Sequence, residues 1–117
     1  SPDVPIVNNG AELWILGFKS RCEGVNIINS GGAKTEILGG LIYPAADVAE
    51  GVPMLQNSNA FFSAIINESC YSRNYSVAVR DTHGDRTVDF VVKEADWSGG
   101  RVKIIYTSNP PIIKMTK

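Results

Sequence analysis

The feature that most constrains the fold is a short pattern that the chain repeats three times in its first 66 residues. In each copy an apolar pair precedes a polar run rich in Asn, Ser and Gly, and a second apolar run follows. The copies are IVNNGAELWILGF from Ile6, IINSGGAKTEILGGL from Ile27 and MLQNSNAFFSAII from Met54. Such recurrence is typical of solenoids, in which each copy forms one coil of a continuous stack.

The spacing of the copies locates an insertion. Ile6 and Ile27 are 21 residues apart, and the second apolar runs are 22 apart because the glycine pair at residues 31–32 adds one residue. Met54 follows Ile27 by 27 residues, since the segment PAADVAEGVP at residues 44–53 intervenes. We interpret this segment as a loop that bulges from one corner of the coil.

The apolar runs predict strands and exclude helices. They are short, flanked by Gly, Asn or Ser, and rich in Ile, Val, Leu and Phe. None has the i, i+3, i+4 pattern that leucine-rich or helical repeats require. The sequence therefore predicts an all-β fold, a parallel β-helix of about three coils whose strands stack about 4.8 Å apart. The expected stacks are Ile6–Val7 on Ile27–Ile28 and Met54–Leu55, and Ile15 on Ile37 and residues 61–65.

Polar residues of the three copies fall at one corner of the predicted coil. Stacked Asn side chains can form a ladder of amide hydrogen bonds, and they tolerate left-handed backbone angles. The alternative is that these residues mark turns and nothing more. The residues concerned are Asn8, Asn9, Asn29, Ser30, Asn57 and Ser58.

The pattern changes after Tyr71. SVAVRD and RTVDFVV alternate like half-buried strands around THGD, in which Gly84 can take a positive φ, so we expect an antiparallel hairpin. A third strand, RVKIIYT, is predicted at residues 101–107. The division is then into parallel coils at residues 1–74 and antiparallel strands with a tail at residues 75–117. We expect the latter to cover the C-terminal end of the β-helix, whose open core would otherwise invite association.

The strings AELWILGFKS and GGAKTEILGGLIYP resemble the terminal coils of right-handed parallel β-helix proteins of the pectate-lyase-like superfamily, particularly large secreted bacterial members. The likeness covers residues 4–71 and is most specific at residues 34–44, KTEILGGLIYP. NYSVAVRDTHGDRTVDF is similar to the β-rich segment that closes such helices. The resemblance implies a right-handed coil, secretion and contact with polysaccharides. It implies no single reaction, because the fold hosts lyases, hydrolases, epimerases, adhesins and structural rods.

Composition excludes other classes of function. Formal net charge is −1 and the basic residues are scattered singly, whereas nucleic-acid binding requires a clustered basic surface. No apolar stretch approaches 18 residues, so we expect no membrane span. The chain opens on SPDVP without a signal peptide, which we interpret as a processed secreted chain or an excised fragment.

Two cysteines leave apolar runs at a similar point of their coils. If Cys22 and Cys70 lay two coils apart, about 9.6 Å would separate them, beyond the roughly 7 Å limit between Cα atoms of a disulfide. The insertion at residues 44–53 can displace the middle coil and bring them together, so a disulfide and two separate thiols both stay open. Sequons begin at Asn67 and Asn74, and in a eukaryotic secreted protein these would be surface glycosylation sites.

No cofactor, metal or catalytic residue is predicted. The chain has one His, no CxxC and no acidic loop of calcium-binding spacing. We expect the charged residues of the repeats to be solvated and those near THGD to belong to turns and strand edges. The first group is Glu12, Lys19, Arg21, Lys34 and Glu36, and the second is Asp81, His83, Asp85 and Asp89.

Aromatic residues lie on or beside the repeated strands, at Trp14, Phe18, Tyr43 and Phe61. Facing outward on adjacent coils, they would stack on sugar rings, which makes them candidates for carbohydrate binding. The alternative is that they pack in the fold.

The N-terminal end of the stack, at Val4, Ile6 and Val7, has no predicted cover and is the candidate assembly edge. A solenoid with one bare end is the last section of a longer rod or a subunit that docks on another chain, including head-to-tail filaments. We therefore expect a non-catalytic, extracellular structural or assembly module associated with polysaccharide. Its partners would be upstream coils or identical subunits. The alternative is a fragment of a polysaccharide lyase or glycoside hydrolase whose active site lies on upstream coils.

Overall fold

The chain forms two mostly parallel β-sheets in the computed structural model, which describes residues 5–69, 75–91 and 101–108. Over these residues the chain is an all-β solenoid of about three turns, as predicted. The strands are β1 (Ile6–Asn9), β2 (Glu12–Ser20), β3 (Ile27–Ser30), β4 (Lys34–Ile42), β5 (Pro53–Ser58), β6 (Phe61–Ser69), β7 (Val77–His83), β8 (Arg86–Val91) and β9 (Arg101–Thr107).

Each copy of the repeat contributes one strand to each sheet. Sheet A has the order β1-β3-β5-β7-β8, and sheet B has the order β2-β4-β6-β9. Neighbours among β1, β3, β5 and β7 are parallel, as are neighbours among β2, β4 and β6. The short polar run between the apolar runs of a copy is thus the corner at which the chain passes from sheet A to sheet B.

The register of the first two copies is the predicted one, with Ile6 beside Ile27. In the third copy the prediction was wrong by one residue, because Leu55 and not Met54 lies beside Ile27. The polar corner explains the shift. Asn57 aligns with Asn29 and is hydrogen-bonded to it, so the amides and not the apolar pair fix the register.

Strand β7 joins the repeats to the antiparallel part. It pairs in parallel with β5 on one side and antiparallel with β8 on the other, through the predicted hairpin around Gly84, whose φ is +65°. The predicted third strand is β9, which pairs antiparallel with β6. Both sheets therefore end in an antiparallel strand at the C-terminal side of the stack.

The core lies between the two sheets, and its burial depends on the coil. Ile27 and Ile37 of the second copy are fully buried, whereas Ile6 at the equivalent place in the first copy is 40 % exposed. The first coil has a neighbour on one side only. Full burial of an Ile side chain stabilises a fold by about 1.5–3 kcal/mol, and the first coil obtains only part of this.

In two neighbouring strands of sheet B, a glycine reverses the order in which side chains alternate between the core and the outer face. Gly17 and Gly39 lie side by side with φ of +80° and +84°. Each is an extra residue that forms a bulge in its strand, and β6 has no such residue. Leu16 therefore faces outward while Phe18, two residues later, packs against the core. Gly40 lies beside Phe18, where a Cβ would be 2.5 Å from the Phe18 carbonyl oxygen.

The insertion after β4 is a loop, as predicted. Residues 43–52 contain no strand, and Val48 is buried in the core cluster. The loop thus closes one corner of the solenoid.

Candidate functional site

A ladder of buried polar side chains follows the corner where the strands of sheet A end. Its rungs are Asn8, Asn29, Asn57 and Asp81, which occupy the same register position on β1, β3, β5 and β7. All four are buried. The polar ladder of asparagines expected from the sequence is therefore present, and a carboxylate ends it.

Hydrogen bonds run through the polar ladder in one direction. Nδ2 of Asn29 donates to Oδ1 of Asn57 over 2.9 Å, and Nδ2 of Asn57 donates to Oδ1 of Asp81 over 2.9 Å. The first rung connects through Thr35, whose Oγ1 accepts from Nδ2 of Asn8 at 2.8 Å and donates to Oδ1 of Asn29 at 2.5 Å. Bonds aligned in this way polarise one another, so each strengthens the next.

The same amides also hold the turns. Nδ2 of Asn57 donates to the carbonyl oxygen of Ala60 over 2.8 Å, and Nδ2 of Asn8 donates to that of Ala11 over 3.1 Å. Nδ2 of Asn29 reaches across to the carbonyl oxygen of Phe61 at 2.8 Å. The polar ladder is thus fully engaged in holding successive corners together, which satisfies its buried groups.

Asp81 links the polar ladder to β9. Its Oδ2 accepts from the hydroxyl of Tyr106 over 2.5 Å, and Nε2 of His83 lies 3.0 Å from its Oδ1. Burial, together with the bond to the carboxylate, raises the pKa of Tyr106 above its ordinary value, so this hydroxyl stays a donor. Within the described part of the chain, His83 makes no hydrogen bond to a hydroxyl or thiol that it would activate.

A shallow, open groove of about 230 Å³ lies beside His83. Asn59 shapes its rim with a φ of +50°, held by a hydrogen bond from the Gly84 N–H to its Oδ1 at 2.7 Å. Pockets that enclose small ligands usually occupy about 300–1,000 Å³, so this groove can contact one face of a ligand but does not enclose it. The lining residues are Gly32, Ala33, Lys34, Asn59, Ala60, Phe61 and His83.

The four aromatic candidates do not form one platform. Trp14 is 61 % exposed on the outer face of sheet B, whereas Phe18 packs against the core. Tyr43 lies between two cations, with Nζ of Lys19 at 5.6 Å and the guanidinium of Arg21 at 5.7 Å from its ring centre. Phe61 lines the groove. Trp14 and Phe61 are thus the two that remain on the outer side of sheet B.

The candidate assembly edge is open where the structure describes it. Ile6 and Val7 are exposed on β1, which pairs only with β3, and β2 pairs only with β4. Val4 lies outside the described residues. This end of the solenoid therefore presents two strand edges and part of the apolar core.

The remaining candidate residues are described in part. Sγ of Cys22 accepts a hydrogen bond from the Gly24 N–H at 3.2 Å, but Cys70 lies outside the described residues, so the disulfide stays a prediction. Asn67 is half-buried on β6, and Asn74 also lies outside the described residues. Glycosylation at both positions stays a prediction.

Glu68 is a buried carboxyl group that sequence reasoning missed. It is completely buried, and its Oε2 accepts from the Tyr75 N–H at 2.8 Å, while Oε1 has no hydrogen-bond partner among the described residues. Burial raises the pKa of Glu68 to about 7, against the opposing effect of the Tyr75 bond.

A row of outward aliphatic side chains also escaped the sequence analysis. It crosses all four strands of sheet B, with one residue from each, and the exposed fractions range from 45 to 74 %. We call it the aliphatic row, and its members in strand order are Leu16, Leu38, Ile65 and Ile105.

Two further features concern metals and membranes. Within residues 5–69, 75–91 and 101–108, no group of three or more His, Cys, Asp or Glu side chains is arranged to hold a metal ion. The same residues contain no helix with the length and apolar character needed to cross a membrane.

Comparison with protein-family models gave no match, and neither curated proteins nor solved structures yielded one. The fold class therefore rests on the structure itself.

Proposed function

We propose that this chain is a non-catalytic, extracellular β-solenoid module that associates end to end through its first coil. The observation that carries the proposal is the contrast between the first and second coils. Ile6 is partly exposed where Ile27 is completely buried, and Val7 beside it is 62 % exposed. One more coil stacked on β1 and β2 would bury Ile6 as Ile27 is buried, and it would pair the free strand edges.

The partner would be either upstream coils of the same protein or an identical subunit. Either would continue the parallel stacking that relates β1 to β3 and β2 to β4. Identical subunits stacked head to tail make a heterologous contact, which propagates into a filament unless it closes.

The chemistry of the polar groups supports a structural role. Asp81 is engaged by Asn57 and Tyr106, and the asparagines of the polar ladder are bonded to each other and to turn carbonyls. A carboxylate that acts in glycoside hydrolysis must instead face the substrate, with a second carboxyl group across the scissile bond. The alternative of a carbohydrate-active enzyme would accordingly place the active site on upstream coils.

The polysaccharide setting and secretion are supported by the resemblance of residues 34–44 to right-handed β-helix proteins of the pectate-lyase-like superfamily. Two exposed features are compatible with sugar contact. Trp14 presents an aromatic surface, and the groove at Phe61 can hold one face of a ring.

The test introduces a charge into the proposed contact. In the variant Ile6→Lys, an ammonium group lies where stacking would desolvate it, which costs several kcal/mol if the charge stays unpaired. The matched control is Ala46→Lys, because Ala46 is exposed in the loop at residues 43–52 and belongs to neither end strand of the two sheets.

We expect the wild-type chain to self-associate in sedimentation equilibrium, Ile6→Lys to associate more weakly and Ala46→Lys to associate like the wild type. Circular dichroism checks that each variant is folded. A wild-type chain that stays monomeric and fails to bind a fragment containing further coils would contradict the proposal.

A further inference from the structure

The aliphatic row is continuous across parts of the chain that are not repeats of one another. Leu16, Leu38 and Ile65 come from the three copies, so their alignment follows from the repeat. Ile105 comes from β9, which runs antiparallel and follows a different pattern, yet it lies in register beside Ile65 and is 66 % exposed. The row of exposed aliphatic side chains therefore continues onto a strand that does not belong to the repeat.

The flanks of the aliphatic row differ in charge. On the side toward the strand starts, Trp14 and Glu36 are neighbours on β2 and β4. On the opposite side, beyond the glycine bulge, Lys19 is exposed on β2, and its ammonium group lies over the ring of Tyr43. The positions next to the aliphatic row thus carry an aromatic ring and a carboxylate on one side and an ammonium group on the other, and Glu12 and Lys34 are neighbours farther out on the first side.

We propose that the outer face of sheet B packs against the same face of a second copy of this chain, with a two-fold axis parallel to the aliphatic row. This axis places aliphatic row on aliphatic row and reverses the strand direction of the partner. Trp14 then faces Lys19 of the other copy, and Glu36 lies one strand away from that same lysine. An ammonium group over a Trp face and a carboxylate nearby are both favourable.

The alternative two-fold axis, parallel to the strands, does not provide these contacts. It would place β4 opposite β6 of the second copy, so that Glu36 faces Ser63. Charge complementarity therefore selects the axis along the aliphatic row.

The size of the face predicts weak association. Four strands about 4.8 Å apart, each contributing about five residues of about 3.3 Å, cover roughly 300 Å². A pair would bury roughly 600 Å², below the roughly 1,200–2,000 Å² of stable complexes. Additional coils would lengthen the face, and several weak contacts in one rod would act together.

The lateral contact is distinct from the end-to-end contact, and the experiment separates them. Self-association is measured by sedimentation equilibrium from about 10 µM to about 1 mM, the range suited to a small interface. All chains carry Ile6→Lys, which blocks end-to-end stacking and leaves sheet B unchanged. Failure of the end-to-end proposal therefore does not alter this result.

The first pair of variants tests the aliphatic row. Leu38→Thr with Ile65→Thr keeps residues that favour strands and removes apolar surface, so we expect dimerisation to weaken about tenfold or more. The matched control is Val88→Thr with Val91→Thr, on exposed positions of β8 in sheet A. We expect the control to dimerise like its parent.

The second pair tests the orientation. Glu36→Lys and Lys19→Glu, each alone, bring like charges together twice in the symmetric pair and should weaken it. An equimolar mixture of the two variants restores both opposite-charge contacts, so the mixture should associate like the parent.

Three results would overturn the proposal. They are a parent chain that is monomeric at about 1 mM, dimerisation that survives Leu38→Thr with Ile65→Thr, and a mixture of charge variants that fails to recover. The last outcome rejects the axis along the aliphatic row, since only this axis brings Glu36 close to Lys19 of the second copy.

Discussion

Asn57 donates its side-chain amide to the carboxylate of Asp81 over 2.9 Å, and this bond joins the last repeat to the C-terminal hairpin. Asn57 ends the parallel run of three asparagines, while Asp81 belongs to the strand that turns into β8. Tyr106 of β9 then binds the same carboxylate from sheet B. A single buried polar chain therefore connects the coils, the hairpin and the last strand.

Removal of Asn57 should be costly. In Asn57→Ala, the amide of Asn29 and the carboxylate of Asp81 each lose a buried partner, and the carbonyl of Ala60 loses its donor. Buried groups left without partners cost about 1–3 kcal/mol each, so we expect a loss of about 3 kcal/mol in the free energy of unfolding. Urea unfolding followed by circular dichroism measures it.

The matched control is Ser58→Ala, on the neighbouring residue that faces away from the polar ladder. We expect a change within about 0.5 kcal/mol. Equal losses in the two variants would show that the polar ladder does not carry the stability assigned to it.

The sequence contains a signal for the last rung of the polar ladder. NSGG at residues 29–32 and DTHG at residues 81–84 have the same form, a rung followed by a small hydroxyl residue and a turn ending in Gly. Local pattern alone assigns Asp81 to a turn and strand edge, because the apolar part of the repeat is absent after it. The parallel pairing of β7 with β5 places it in the polar ladder.

Two adjacent glycines of β4 should differ in their tolerance to Ala. At Gly40 a Cβ would lie 2.5 Å from the Phe18 carbonyl oxygen and 3.0 Å from the Phe18 Cβ, so neighbouring backbone must move. We expect Gly40→Ala to lower the free energy of unfolding by about 3 kcal/mol, as strong overpacking does. Denaturant unfolding gives the value.

Gly39→Ala is the comparison. No atom lies within 4 Å of its Cβ position, and the cost comes only from the φ of +84°. We expect about 1 kcal/mol. A larger loss at Gly39 than at Gly40 would mean that backbone conformation, and not the approach to Phe18, governs this part of sheet B.

The chain should not degrade polysaccharide by itself. Asp81 is held by Asn57 and Tyr106 in the polar ladder, whereas glycoside hydrolysis uses two carboxyl groups that flank the scissile bond. Glu36 is on sheet B, where its neighbour on β2 is Trp14. We expect the purified chain to release neither unsaturated nor reducing sugars from pectin, alginate or β-glucans. Release of sugars that is lost in Glu36→Ala or Asp81→Ala would establish the enzyme alternative for this chain.

Some features could not be read from the repeats, because they depend on contacts between distant segments. Strict alternation along β2 predicts that Leu16 and Phe18 face the same side of the sheet. The bulge at Gly17 reverses the alternation, so Leu16 faces outward and Phe18 packs against the core. Glu68 is buried because Tyr75 and β9 cover it from later parts of the chain. Local pattern assigns strands and their order, whereas the bulge and the burial of Glu68 depend on contacts between strands that are distant in the sequence.

Glu68 should make stability depend on pH in a defined window. Its carboxyl titrates near 4.5 when unfolded and at about 7 in the fold, because burial disfavours the charged form. Below about 4.5 both states are protonated and the fold is not penalised. Between these values the folded state binds more protons than the unfolded state, so the free energy of unfolding falls as pH rises, by about 3 kcal/mol in all. Above about 7 the loss is complete.

Glu68→Gln removes this titration while keeping an oxygen for the Tyr75 N–H. Urea unfolding across the window should therefore show that the wild type loses about 3 kcal/mol more than the variant as pH rises from about 4.5 to about 7. Glu12→Gln, at an exposed position of β2, serves as the matched control and should follow the wild type. If the curves for Glu68→Gln and the wild type run parallel, the buried carboxyl is already ionised without penalty, and Oε1 must have a partner that stabilises its charge.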